Sequence, residues 1–178
     1  FFQIYGRITP PNLPEFDAVL VEDSHAGFEF FERICREREI ACYSAKGKSN
    51  IYSKLLEMDA KCILVVADGA AFGPEMERLL SLQKAKDIVL FLPESFEWII
   101  LKSGLVSDHE ITRALENPSD EIESSEYFSW EQFFTRLLSR KTEGTYLRYS
   151  KSKLNPIYLN DRERKAILNA MPEFFEEV

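Results

Sequence analysis

Cys62-Ile63-Leu64-Val65-Val66-Ala67, with Asp68 and Gly69 directly behind it, decides the fold of this chain. Six apolar residues with no polar residue alternating among them describe a strand buried on both faces, which is the habit of a parallel sheet. The same grammar appears on either side of it. Ala18-Val19-Leu20-Val21 is a shorter run of the same kind, Ile40 to Tyr43 reads as another strand, and Ile88 to Leu92 is a fourth, stopped by Pro93. Between them the apolar period changes from two to three or four. Ser24 is placed to cap a helix carrying Phe28, Phe31, Ile34 and Cys35, and Ser49 one carrying Ile51, Leu55 and Leu56. Pro74 suits the first turn of a helix that buries Met76, Leu79, Leu80 and Leu82. A short helix with Phe96, Ile99 and Ile100 ends near Gly104. Strand and helix alternate four times with short links, so the expected fold class is α/β, a Rossmann-like parallel sheet with helices on both faces.

Downstream of this core the pattern turns helical. Residues 1–107 are expected to form the α/β core, with residues 1–15 (Phe2 to Ile8 above all) as an N-terminal edge segment, and 108–178 a helical extension joined through Asn117-Pro118-Ser119. Ser129 and Gln132 suggest a capping box for a helix through Phe133, Phe134, Leu137 and Leu138; Asn160 or Asp161 would cap a last one through Ile167 and Leu168.

The 178 residues carry 45% hydrophobic and 29% charged side chains, with 7 Gly and 8 Pro, which excludes a disordered or collagen-like chain. No apolar run approaches the roughly 20 residues of a membrane span, and the opening Phe-Phe-Gln-Ile-Tyr-Gly-Arg is no signal peptide. A start without Met suggests a piece of a longer protein. Cys35, Cys42 and Cys62 occupy apolar positions, an odd set that fits a reducing cytoplasm better than a disulfide frame. The net charge of −8 argues against nucleic-acid binding by bulk charge alone. It is unevenly spread: between Asp108 and Glu131 eight acids stand against Arg113 alone, and between Arg136 and Lys165 nine bases stand against three acids. Such runs either contact phosphates or neutralise each other on the surface, and the second is the commoner outcome.

Ligands of an open parallel sheet bind beyond the carboxyl ends of its strands. The first strand delivers Glu22 and Asp23 there, the third Asp68, and the fourth Glu94 and Glu97; the second leads into Lys46-Gly47-Lys48. Carboxylates gathered at one rim repel each other unless a hard cation lies between them, and Mg2+ or Mn2+ with waters left for a phosphate is the natural occupant. The plainer alternative is that each acid caps the helix behind it. A P-loop is excluded, because its first glycine would fall where Cys42 stands. His25 and His109 lack cysteines at zinc spacing, and Trp98 and Trp130 read as core.

Val21-Glu22, Gly47-Lys48-Ser49-Asn50-Ile51, Val66-Ala67-Asp68 through Gly73, and Phe96-Glu97-Trp98 come in an order that resembles a Toprim domain, of the variety found in OLD-family nucleases and related phage-defence proteins. The resemblance covers Phe16 to Gly104. It implies Glu22 as metal ligand and general base or acid, Asp68 as metal ligand, Glu97 as the later acid, and Gly73 as the motif glycine. A late lysine is also implied, for which Lys151 and Lys153 are equal candidates. Two positions depart from the pattern: Asp23 follows Glu22 where the family has Gly, and Ala70 replaces the second Asp of Asp-x-Asp. Losing that carboxylate weakens a two-metal site, and Asp23 is the candidate replacement.

Three functions follow as expectations. The first is Mg2+- or Mn2+-dependent phosphodiester hydrolysis on DNA or RNA, with catalytic Glu22, Asp68, Glu97, Lys48, Lys151 and Lys153, and metal on Glu22, Asp23, Asp68 and Glu97. It would work in the cytoplasm beside an upstream ATPase domain or protein partner, as a homo-oligomer. The second is a catalytically degenerate module of the same fold that docks to a partner. The third is a phospho-acceptor receiver, with Glu22-Asp23 as acidic pair and Asp68 as acceptor, against which stands the lack of a fifth strand ending in Lys.

Overall fold

The computed structural model describes residues 15–69, 72–82, 85–116 and 129–172. The expected edge segment at Phe2 to Ile8, the Asn117-Pro118-Ser119 link and Ala70 lie outside the described residues. The described chain divides into two compact units, one reaching to Pro93 and taking in Ser152–Leu154, the other comprising Glu94–Lys151 and the residues from Asn155 onward.

The first unit is the expected α/β body. Strands β1 (Ala18–Val21), β2 (Ala41–Ser44), β3 (Cys62–Val66) and β4 (Asp87–Phe91) form one sheet in the order β2-β1-β3-β4, every neighbouring pair parallel. Central β1 and β3 are buried at every residue, as their unbroken apolar runs require, whereas β2 at the edge alternates between exposed and half-buried. Val19 lies opposite Cys42 on one side and Leu64 on the other. The Asp17 carboxylate pins the opening of this register by accepting the N–H groups of Lys61 (3.0 Å) and Cys62 (2.9 Å).

Helix α1 (Ala26–Glu37) packs against β1 and β2, burying Phe30, Phe31, Ile34 and Cys35. A 3-10 turn at Lys48–Asn50 leads into α2 (Ile51–Glu57), and α3 (Gly73–Leu82) precedes β4. Ile51, Leu55, Leu79 and Leu82 join Leu20, Ile63, Val65 and Ile88 of the sheet in one apolar cluster. Burying these side chains fully is worth about 2 kcal/mol each. Three sequence expectations need correction. Leu56 and Leu80 are exposed, not buried. The amides opening α1 turn to Asp23 rather than Ser24. Residue 50, not Ser49, stands at the N-cap of α2, with no side-chain cap bond.

The second unit contains α4 (Phe96–Lys102), α5 (His109–Glu116), α6 (Trp130–Thr142), a 3-10 turn at Pro156–Leu159 and α7 (Asp161–Asn169). Ser129 caps α6 as expected, its hydroxyl accepting the Gln132 N–H at 3.2 Å; Phe134, Leu138 and Tyr158 are fully buried. Trp98 and Trp130 are half-buried, the Lys102 ammonium lying over the Trp98 ring at 4.4 Å. No helix among the described residues is long and apolar enough to cross a membrane.

Here the acidic and basic stretches meet. Arg140 pairs with Glu110, and Lys141 with both Asp108 and Glu110, the latter at 2.7 Å. Lys141's ammonium holds the carboxyls of Asp108 and Glu110 below the usual range, and the two carboxylates in turn raise Lys141. Depressed acids stabilise above their unfolded values, about pH 4, and that contribution goes as pH falls through the folded ones; the raised lysine contributes below about pH 10.4 and is lost above its folded value. Lys141→Ala is therefore expected to cost less than about 1 kcal/mol for so exposed a cluster. Urea unfolding at pH 7 should show that cost, and it should shrink as pH falls below about 4 and in 1 M salt.

Candidate functional site

The order β2-β1-β3-β4 reverses direction between β1 and β3, because β1 leads outward to β2 and β3 the opposite way to β4. Ligand crevices form at such a point. Glu22 and Asp68 stand on its two sides. The Glu22 N–H donates to the Val66 carbonyl at 2.8 Å, carrying the ladder one step past β1, and its side-chain Oε2 accepts the Asp68 N–H at 3.0 Å. The carboxylate of one strand end is thus fastened to the backbone of the other.

The Gly-Lys loop hangs from the same residue, through the Gly47 N–H to the Glu22 carbonyl at 2.9 Å. Its shape comes from Lys46 and Gly47 at φ of 57° and 116°, the second a conformation that glycine alone takes without strain. Asn50 braces it, donating its side-chain amide to the carbonyls of Ala45 (3.1 Å) and Lys46 (3.2 Å). Lys48 is half-buried at the end of this loop.

Asp23 has a different occupation. One carboxylate oxygen accepts the N–H of Ser24 (2.7 Å) and of His25 (3.2 Å), and the other that of Gly27 (2.9 Å). Both oxygens satisfy amides that open α1, where a negative charge also complements the helix dipole. His25 stands exposed beside it, Nδ1 3.6 Å from Asp23.

The later acid and the late lysine lie in the second unit, and there they meet. Ser95 caps α4 by accepting the Trp98 N–H at 3.2 Å, setting Glu97 in the first turn with no exposed surface. Its Oε1 accepts the Tyr149 hydroxyl at 2.7 Å and lies 3.3 Å from the Lys151 ammonium, which also reaches Glu131 at 3.0 Å. Tyr149 is itself fixed, its N–H donating to the Thr142 hydroxyl at the end of α6 at 2.9 Å. Between the two lysines that sequence left equal, Lys151 makes the acid contact, and Lys153 is exposed in the first unit. Glu94 is buried at the head of the same segment.

The switch point thus offers two carboxylate residues on adjoining loops beside a Gly-Lys loop. Oxygen donors of this kind suit Mg2+, which commonly takes one or two carboxylates and fills its shell with water and substrate phosphate. Among the described residues no cluster of three or more His, Cys, Asp or Glu is placed to hold a metal. Asn50, part of the Gly-Lys motif read from sequence, shapes the lysine loop. Two contributors were not singled out from sequence: Tyr149 holds Glu97, and Gly69 lets the Asp68 loop approach the end of β4. No family model matches the chain, and no curated protein or solved structure is significantly similar to it.

Proposed function

We propose that the rim between β1 and β3 binds Mg2+ or Mn2+ through Glu22 and Asp68 and serves phosphodiester hydrolysis on DNA or RNA. The observation that carries this is the Glu22 Oε2 bond to the Asp68 N–H, which keeps the two acids together at the switch point. A bound cation would orient an attacking water and neutralise charge developing on the phosphate, with Lys48 as the nearby cationic side chain. The Toprim resemblance supports the same assignment. The protein would act in the cytoplasm, with an ATPase domain or partner, as a homo-oligomer.

A second reading has its own support. Asp23 is taken up by helix amides, and Glu97 by Tyr149 and Lys151, as expected of a docking module that keeps the fold without the reaction. Cleavage of plasmid DNA and of RNA with Mg2+ or Mn2+ separates the two. Glu22→Gln keeps an acceptor for the Asp68 N–H but removes the charge. It and Asp68→Asn should each lower cleavage on the order of 100-fold with the circular dichroism unchanged. No cleavage together with no heat of Mn2+ binding selects the docking module, and acid-labile phosphate on Asp68 selects a receiver.

A further inference from the structure

The basic stretch between Arg136 and Lys165 is neutralised in part. Arg140 and Lys141 pair with Asp108 and Glu110, Lys151 with Glu97 and Glu131, and Arg164 with Asp161. Arg148, Arg162 and Lys165 are exposed and make no ion pair among the described residues. Of the acids within the stretch, Asp161 is the partner of Arg164, Glu163 is buried and Glu143 is exposed. Two residues before Arg148 stands Tyr146, 59% exposed and the one large apolar side chain open to solvent among the described residues of its unit.

The backbone beneath Tyr146 and Arg148 is braced from the side. Asn155 donates its side-chain amide to the carbonyls of Tyr146 (3.1 Å) and Arg148 (3.0 Å), and the Tyr158 hydroxyl donates to the Leu147 carbonyl between them. The Thr145 hydroxyl accepts the Leu147 N–H at 3.2 Å. Leu147 and Tyr149 are buried, which leaves Tyr146 and Arg148 as the exposed pair. Tyr158 belongs to the 3-10 turn that packs against α7, where Arg162 and Lys165, three residues apart, share a helix face. We propose, resting on the reading that the chain acts on DNA or RNA, that Tyr146, Arg148, Arg162 and Lys165 bind a single strand of it. The ring stacks on one base and the three cations contact phosphates. An exposed ring can stack only on an unpaired base, whose face a duplex keeps covered, and its pre-set position lowers the entropy cost of stacking. With a net charge of −8, bulk attraction does not supply the binding, so local contacts must. A lone ring among cations has too little apolar area to enter a lipid surface, and an acidic peptide offers no base to stack on.

The test is fluorescence anisotropy of labelled oligo(dT) and oligo(U) with the full chain, in EDTA and at low salt. Saturable binding is expected, with log K falling against log salt by about 0.7 per neutralised phosphate. Tyr146→Ala should weaken it about tenfold and Tyr146→Phe should restore it. Arg148→Ala should lower the salt slope, whereas Arg140→Ala, which removes a cation already paired with Glu110, should leave it unchanged. Overturning results are no saturable binding, a Tyr146→Ala variant that binds like the parent, an equal loss in Arg140→Ala and Arg148→Ala, or displacement by polyglutamate or phosphatidylserine vesicles as effective as by unlabelled oligonucleotide. Because EDTA removes any metal, failure of the rim chemistry leaves this binding intact, and failure of this binding leaves the heat of Mn2+ binding to be read separately.

Discussion

Gly69→Ala is expected to lower the unfolding free energy by about 2–3 kcal/mol, although it adds a single methyl group. A Cβ at this position would stand 2.7 Å from the Leu92 carbonyl oxygen and 3.3 Å from both the Leu92 carbonyl carbon and the Pro93 oxygen. All three are backbone atoms, so no side chain can swing aside. Nor can the loop retreat cheaply, since the Gly69 N–H donates to that same Pro93 oxygen at 2.7 Å. Relief has to come from parting the ends of β3 and β4, which shifts Asp68 relative to Glu22. The same substitution should therefore also weaken the Mn2+ binding proposed for the rim. Gly73→Ala is the control, because a Cβ there meets nothing within 4 Å and the residue opens α3. It should be neutral or gain up to about 1 kcal/mol from helix propensity. Urea unfolding of the two variants decides it: equal midpoints would refute the crowding at Gly69. A loss of this size is a large share of the 5–15 kcal/mol that typically holds a domain together.

The resemblance pointed to Gly73, where a Cβ meets nothing, and not to Gly69. The need for glycine at 69 is set by Leu92, more than twenty residues away, through a contact that no periodicity encodes. The fold divides along the same line. β1 and β3 could be read to within a residue because burial on both faces forces an unbroken apolar run. Edge strand β2 and β4 each came out one residue displaced, since fewer neighbours constrain where an outer strand begins. Helix faces were read less well. Phe28, Phe30 and Phe31 cannot all face one way from a single helix, and only packing decided that Phe30 and Phe31 are buried while Phe28 is half-exposed. Leu56 and Leu80 fit the three-to-four spacing of their helices yet face solvent, because the cluster against the sheet is filled by Leu55, Leu79 and Leu82.

The candidate site was legible where strand ends alone fix position. Glu22 and Asp68 follow the two central strands, and parallel pairing brings them to one rim whatever the rest of the chain does. Asp23 was ambiguous for a physical reason. An Asp shortly before a helix is as good a cap as a metal ligand, and here its oxygens accept the amides at the opening of α1. The Glu97 environment lay beyond local inference, because Tyr149 is 52 residues downstream of the carboxylate it donates to.

That environment can be disrupted in two ways that should cost very different amounts of stability. Lys151→Met removes the cation and leaves a fully buried carboxylate with Tyr149 alone on Oε1; Oε2 has no hydrogen-bond partner among the described residues. Breaking one side of a buried pair typically costs 3–5 kcal/mol, and the surviving tyrosine bond together with the partial exposure of Lys151 reduces this to about 2–3 kcal/mol. Glu97→Met with Tyr149→Phe removes the carboxylate and the hydroxyl together, replacing both by apolar groups of similar shape, and Lys151 keeps Glu131 at 3.0 Å. That double variant should fall within about 1 kcal/mol of the parent or exceed it. Unfolding both in urea at neutral pH checks the ordering. If the double variant loses as much as Lys151→Met, the cluster is a net stabiliser and Glu97 is kept for the fold. If the expected ordering holds, stability alone does not account for a buried acid at the head of α4.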